Sequence, residues 1–159
     1  MTSPTPLPAV TMDRIAEVMR EYDVELWRDP DDDRFARAIL NDLQVLWALL
    51  DSVLIVRADA PTGVPSKQSD PTLHLAAMFQ NCSAVGTKAL VVDTEDNLIV
   101  RTEAEVQIFS GATDEQLKVS LKDAVDKVMS AHPSIVQAAD QILKERRGEE
   151  NSAQESPEN

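Results

Sequence analysis

The stretch Leu98-Ile99-Val100-Arg101-Thr102-Glu103-Ala104-Glu105-Val106-Gln107-Ile108-Phe109 keeps a period of two through most of its length. Leu98, Val100, Thr102, Ala104, Val106 and Ile108 share one face, and Arg101, Glu103, Glu105 and Gln107 share the other. Successive side chains of an extended chain point to opposite sides, so the pattern is that of a strand with one buried and one wet face. It outruns the usual strand of about five or six residues, which predicts a bend near its middle. Thr94, Glu95, Asp96 and Asn97 form a turn ahead of it, and positions 88–92 supply the preceding strand. Gly111 ends the run.

Working backwards, Asp70 before Pro71 reads as a helix N-cap with proline at the first helical position, opening a helix to about Asn81 that contains Leu75, Met78 and Phe79. Residues 60–70, with Pro61, Gly63 and Pro65, read as a surface loop. Upstream lie two apolar runs, 45–50 and 53–56, separated by Asp51 and Ser52 as two strands on a tight connection. A further strand is expected around Phe35 to Leu40, after the polar turn of Asp29, Pro30, Asp31, Asp32 and Asp33 and the strand rhythm of Val24 and Leu26. Thr11 caps a first helix whose Ile15, Val18, Met19 and Tyr22 form one apolar stripe.

Working forwards, Thr113 and Gln116 make a capping box before Leu117, Leu121, Ala124, Val125 and Val128. His132 and Pro133 are expected to interrupt that helix, with another following to about Arg147 on Ile135, Ala138, Ala139 and Ile142. The order helix, four strands, helix, two strands, helix, helix predicts an α+β fold, an antiparallel sheet with helices packed against it. It does not alternate as a dinucleotide-binding fold would. Residues 11–147 form the expected single domain, between a flexible segment 1–10 and a disordered acidic tail 148–159 that holds four glutamates.

Of the 159 residues, 15 are Lys or Arg and 28 are Asp or Glu, a formal charge of −13 that disfavours nucleic acid and anionic lipid as partners. The single cysteine, Cys82, suits a reducing compartment. No stretch approaches the length of a membrane span, and positions 1–10 lack the features of a secretory signal. Cytoplasmic localisation is the expectation.

Chemistry is hard to find. His74 and Cys82 lie about 12 Å apart along one predicted helix, too far for a nucleophile and base. His132 sits where histidine commonly ends a helix. Counted as a calcium loop from Asp29, the run places Arg34 where glycine is required and Leu40 where glutamate is required. Phosphate-cradling glycine patterns are absent. No catalytic, metal or cofactor residues are assigned, no cofactor is expected, and the chain is expected not to be an enzyme.

The two apolar runs carry apolar residues on both faces, so something must cover the second face. A C-terminal helix or the 60–70 segment could do so, as could a second protein chain. Trp27, Trp47, Leu49, Ile99 and Phe109 are the candidate partner-binding residues. Trp27, Ile99 and Phe109 occupy the mainly polar side of their strands, and aromatic residues are favoured interface anchors. A protein partner, including a second copy in a homodimer, is the expected ligand. The alternative is a small-molecule receptor or cryptic enzyme with a pocket between the sheet and the second helix, lined by Leu75, Met78 and Phe79.

Across positions 11–129 the order and several local patterns resemble the bacterial YbjN-like domain, a family labelled as sensory transduction regulators. The likeness rests on Met12-Asp13-Arg14-Ile15-Ala16-Glu17-Val18-Met19, on Leu49-Leu50-Asp51-Ser52-Val53-Leu54-Ile55-Val56-Arg57, and on the hairpin from Leu90-Val91-Val92-Asp93 to Asn97-Leu98-Ile99-Val100. Gly111-Ala112-Thr113-Asp114-Glu115-Gln116-Leu117 is its most characteristic part. Phe79-Gln80-Asn81 departs from the spacing of the family's aromatic-Asn pair. The resemblance implies a fold related to type III secretion chaperones, which are small, acidic, often dimeric and bind extended segments of partner proteins. It implies no active-site residue.

Overall fold

A computed structural model describes residues 5–67 and 70–154. The elements run α1 (Met12–Glu21), β1 (Trp27–Arg28), β2 (Phe35–Leu40), β3 (Leu43–Leu49), β4 (Val53–Pro65), α2 (Thr72–Ser83), β5 (Lys88–Asp93), β6 (Asn97–Gln107) and α3 (Asp114–Gln154). The strands form one antiparallel sheet in the order β1-β2-β3-β4-β6-β5. This is the expected α+β architecture.

Local chemistry accounts for most boundaries. Thr11 Oγ1 accepts from Arg14 N–H and opens α1, which buries Met12, Ile15, Val18 and Met19. Asp23, at φ 60°, closes α1 in the left-handed region, where Asp is tolerated because its short side chain can bond locally. Asn41 and Asp42 are both left-handed, at φ 48° and 65°, so Leu40 and Leu43 are joined by the two-residue turn whose twist matches a hairpin. That turn extends β3 two residues ahead of the expected start at Val45.

The segment 60–70 is not a loop throughout, because β4 continues to Pro65. Pro61 and Pro65 cannot donate to the ladder, and the β4–β6 register is irregular between them. Thr62 compensates there. Its hydroxyl donates to the Leu98 carbonyl at 2.6 Å and accepts from Val64 N–H at 3.1 Å. The irregularity expected within β6 therefore falls on its partner strand, where the prolines are.

The reciprocal capping box of α3 is present: Thr113 N–H donates to Gln116 Oε1 at 3.0 Å, and Gln116 N–H donates to Thr113 Oγ1 at 3.1 Å. Pro133 does not end this helix, contrary to the sequence-based expectation. A proline in a helix interior costs about 3 kcal/mol. Leu117, Leu121, Val128 and Ile135 are almost wholly buried, and burying each contributes about 1.5–3 kcal/mol. The apolar stripe keeps its phase across Pro133, so one straight-through helix buries more than two separate ones.

Both expected flexible ends are also corrected in part. Residues 148–154 continue α3, although the segment is acidic and Gly148, Glu149 and Glu150 are exposed, because the helix propagates from a well-packed body; positions 155–159 lie outside the described residues. Residues 5–10 are not free. Arg14 donates to the Pro8 and Ala9 carbonyls at 3.1 and 2.8 Å and to Asp114 at 2.7 Å, and Ala112 N–H donates to Pro8 O at 3.0 Å. Positions 1–4 lie outside the described residues.

All three helices pack on one side of the sheet. The larger core joins α1, the first half of α3 and the inner faces of β2, β3, β4 and β6, with Trp47 at its centre. A smaller core joins Ala76 and Ala77 of α2 to Ala89, Val100, Ile135 and Ala139.

Gly111, at φ +75°, sits under the docked N-terminal segment, where an added Cβ would fall 2.5 Å from Pro8 O and 2.6 Å from Leu7 O. Gly63, at φ +70°, has open space around it. Left-handed backbone alone costs a non-glycine residue about 1–2 kcal/mol. Gly63→Ala is therefore expected to lower stability by about that amount in urea titration. Gly111→Ala should lose clearly more, because backbone must also move, and equal losses would show that the N-terminal segment is not held.

Candidate protein-interaction surface

The face of the sheet that carries no helix is built from the alternate residues of the same strands. Register places Trp27, Arg37, Leu46, Arg57, Glu103 and Lys88 in one row across it. A second row is Ile39, Gln44, Asp59, Arg101 and Leu90. Phe35, Ala48 and Ile55 continue the apolar area along β2, β3 and β4. Among the described residues, no helix or loop lies over these rows.

The middle of this face is ionic. Arg57 donates from Nε to Glu103 Oε1 at 2.8 Å, and Arg101 makes two bonds to Asp59, from Nε at 2.7 Å and Nη2 at 2.8 Å. Lys88 approaches Glu103 at 3.6 Å. Glu103 is only 8% exposed although it stands on the uncovered face, because these cations and the neighbouring strands close around it. The Asp59 carboxylate beside Arg101 raises the guanidinium pKa further. Beside the ion pairs stand Trp27, 57% exposed, and Ile39, 73% exposed.

The sequence-derived surface residues divide. Trp27 and Ile99 lie on the open face, Ile99 half-buried on β6 between Pro61 and Val92. Phe109, 84% exposed, lies just beyond β6, at a hollow of about 650 Å³ that also takes in the docked N-terminal segment, Arg34 and Leu50. Trp47 is a correction. It points to the helix side, is 0% exposed, and cannot meet a partner in this fold. Leu49 is half-buried against the same core. The doubly apolar run had two faces, and the bulkiest side chain took the inner one. Ile39 was missed; its exposure follows from the alternation of Phe35, Arg37 and Ile39 opposite Ala36 and Ala38.

The pocket expected between the sheet and α2 is also displaced. Ala76, Ala77 and Gln80 face inward, because small residues let α2 approach β5 and α3 closely, whereas Leu75, Met78 and Phe79 face outward. With Cys82, Ala138 and Ile142 they line a groove of about 410 Å³ between α2 and the second half of α3. Arg146 ties the two helices, donating to Asp70 at 3.3 Å and Thr72 Oγ1 at 3.1 Å. The Asp70 carboxyl is held below its ordinary value, chiefly by the Thr72 hydroxyl and amide bonds. Asn81 bonds both backbone groups of Ala89, at 2.7 and 2.9 Å, and so occupies part of the outer edge of β5.

His132 does not mark a helix end. It is buried inside α3, and its Nε2 has no hydrogen-bond partner among the described residues. No group of three or more metal-ligating side chains occurs among the described residues, and no described helix is long and apolar enough to cross a membrane.

No protein-family model matches the sequence, and no curated protein is significantly similar to it. The fold, by contrast, is matched by a solved structure. YbjN from E. coli, whose structure describes it as a candidate transcription regulator, superposes with a TM-score of 0.63 over 79% of this chain and 90% of that one, at 16% identity. This is a YbjN-like fold. A type III secretion chaperone, SycH of Yersinia pestis, solved with a fragment of YscM2, gives a TM-score of 0.45 over 76% of this chain and 98% of that one, at 15% identity. The YbjN-like expectation from the opening helix, the strand pairs and the capping segment thus holds for the fold, which does not by itself assign an activity.

Burial pushes the His132 imidazole below its ordinary value of 6.5, with the Val100 backbone and Asp59 opposing the shift. The unfolded chain therefore takes this proton more readily than the folded one. The His132 contribution to stability is complete above 6.5 and is lost as pH falls through that value towards the lower folded one. Urea midpoints measured from about pH 7.5 to about pH 5.5 are expected to fall for the wild type and to flatten for His132→Leu. An unchanged slope in the variant would place the imidazole in water.

Proposed function

We propose that this chain is a non-enzymatic, regulatory protein-binding module that takes a partner protein on the open face of its sheet. The observation that carries the reading is the one-sided packing of the fold: three helices share one face, and the other presents Trp27, Ile39, Leu46, Ile55 and Ile99 around a fixed ionic centre. Apolar side chains interleaved with arginine and tryptophan on an uncovered face are the composition of an interface centre. The secretion chaperone named above was solved with a protein fragment. The strong acidity turns nucleic acid and anionic membranes away, and a lone exposed Cys82 suits the cytoplasm.

Ile39→Lys and Trp27→Lys change exposed positions, so folding stability should shift by no more than about 0.5 kcal/mol. Proteins retained from a lysate by the wild type, and seen by crosslinking to contact the sheet, are expected to be lost by the folded variants. Retention of the same set by both variants would remove the open face from the reading.

The outward side of α2 supports a second contact. Met78 and Phe79 are largely exposed along the α2–α3 groove, Val85 is exposed just beyond the end of α2, and a second copy of the chain would cover them in a homodimer. Light scattering across concentration is expected to give twice the single-chain mass, falling to the single-chain mass for Phe79→Lys. A single-chain mass at every concentration would instead favour a small-molecule receptor, since the groove lies within the usual volume range of ligand sites, about 300–1,000 Å³.

A further inference from the structure

The open face carries a charge that the rest of the chain does not. With a formal charge of −13 overall, the protein nevertheless brings Arg37, Arg57 and Arg101 to one hollow of about 280 Å³, where Gln44, Leu46 and Asp59 are among their neighbours. Around it the face holds four cations, these three and Lys88, against the three carboxylates Asp59, Glu103 and Glu105. The centre of the face is therefore cationic by one charge within a strongly anionic molecule.

A guanidinium has five N–H groups in a fixed fork. Arg101 gives Nε and Nη2 to Asp59, and Arg57 gives Nε to Glu103 Oε1 with Nη2 2.7 Å from the same oxygen, so each retains N–H groups beyond those contacts. Arg37 has no ion-pair or side-chain hydrogen-bond partner among the described residues and stands over the Trp27 ring, 6.0 Å from its centroid. The ion pairs hold Arg57 and Arg101 in place before anything binds, which lowers the ordering cost of recognition.

The hollow is also flanked. Trp27 and Ile39 lie towards the β1 and β2 edge, and Leu90 and Ile99 lie towards the β5 and β6 edge. From β1 to β5 are five interstrand steps, about 24 Å at roughly 4.8 Å each, a distance spanned by about seven extended residues.

Resting on the open face as the docking surface, we propose that it recognises an acidic segment of a partner protein, whose central Asp or Glu seats between Arg37, Arg57 and Arg101 while its apolar neighbours cover Trp27 and Ile39 on one side and Leu90 and Ile99 on the other. Charge complementarity selects the carboxylate, since an aspartate or glutamate accepts from the free guanidinium donors as a neutral or basic residue cannot. The net negative charge elsewhere repels an indiscriminately acidic chain, so the carboxylate has to arrive at this hollow between apolar residues.

The test pans a random dodecapeptide display library on the full chain and measures the selected peptides by fluorescence anisotropy. Selected peptides are expected to carry Asp or Glu between apolar residues. Replacing that acid by its amide should weaken binding at least tenfold, about 1.4 kcal/mol, and added salt should weaken it too. Arg37→Glu should lose at least tenfold for the acidic peptide and gain for its lysine counterpart, and Arg37→Gln, which keeps a polar hydrogen-bonding side chain without the charge, should fall between. Selected peptides without an acid, or indifferent to both Arg37 variants, overturn the proposal, as does a library that yields no binder. Neutral peptides that lose binding to Ile39→Lys but not to Arg37→Glu would overturn acidic recognition and leave the docking face standing, whereas peptides indifferent to all the variants would remove both.

Discussion

Much of this structure depends on the passage of α3 across one face of the sheet. Leu117, Leu121, Ala124 and Val128 close the larger core over β3, β4 and β6, and Ile135 and Ala139 close the smaller one against α2, Ala89 and Val100. The buried Thr102 hydroxyl donates to the Val128 carbonyl at 3.1 Å, fixing the helix against β6 midway. Because that stripe is continuous, the helix tolerates Pro133 and a buried imidazole next to it. The two polar irregularities lie where the two cores meet, and the packing on either side holds them.

One-sided coverage follows from the same arrangement. With α1, α2 and α3 committed to one layer, the other side of each strand has only its neighbours for company. The protein meets that constraint in the middle of the sheet with ion pairs, which satisfy polar groups without a covering layer. Glu103 illustrates the result, since it is nearly buried on a bare face by Arg57, Lys88 and the strands around it. Trp27 and Ile39, nearer the edge, have no such shelter.

The parts of the fold legible in sequence are those set by local rules. Thr11, the Thr113–Gln116 box and the alternation through β6 each act within a few residues, and each was read correctly. What escaped reading was decided at a distance. Pro133 looked like an end because a local rule says so, and only the unbroken spacing of Leu117, Leu121, Ala124, Val128, Ala131, Ile135 and Ala139 shows that tertiary burial outweighs it. Asn41-Asp42 is a local signal that could have been read, because both residues tolerate the left-handed region that a tight hairpin turn demands. The Pro61–Pro65 segment could not, since its place in the sheet rests on Thr62 reaching the Leu98 carbonyl.

The candidate surface obeys the same division. Apolar runs in β3 and β4 state that both faces are greasy without stating which face the helices take. Trp47 and Leu46 are adjacent, and a choice made by the topology alone sends the indole into the core and leaves the leucine beside three arginines. Once that choice is made, every second residue of six strands is committed to the outer face, including the arginines that no linear pattern groups together. Arg37, Arg57 and Arg101 are separated by 20 and 44 positions in the chain and meet only because β2, β3, β4 and β6 are neighbours in the sheet. The recognition chemistry of this protein is thus a property of register: a slip of one residue along β4 would exchange Arg57 for Val56 and turn the basic hollow into more apolar face.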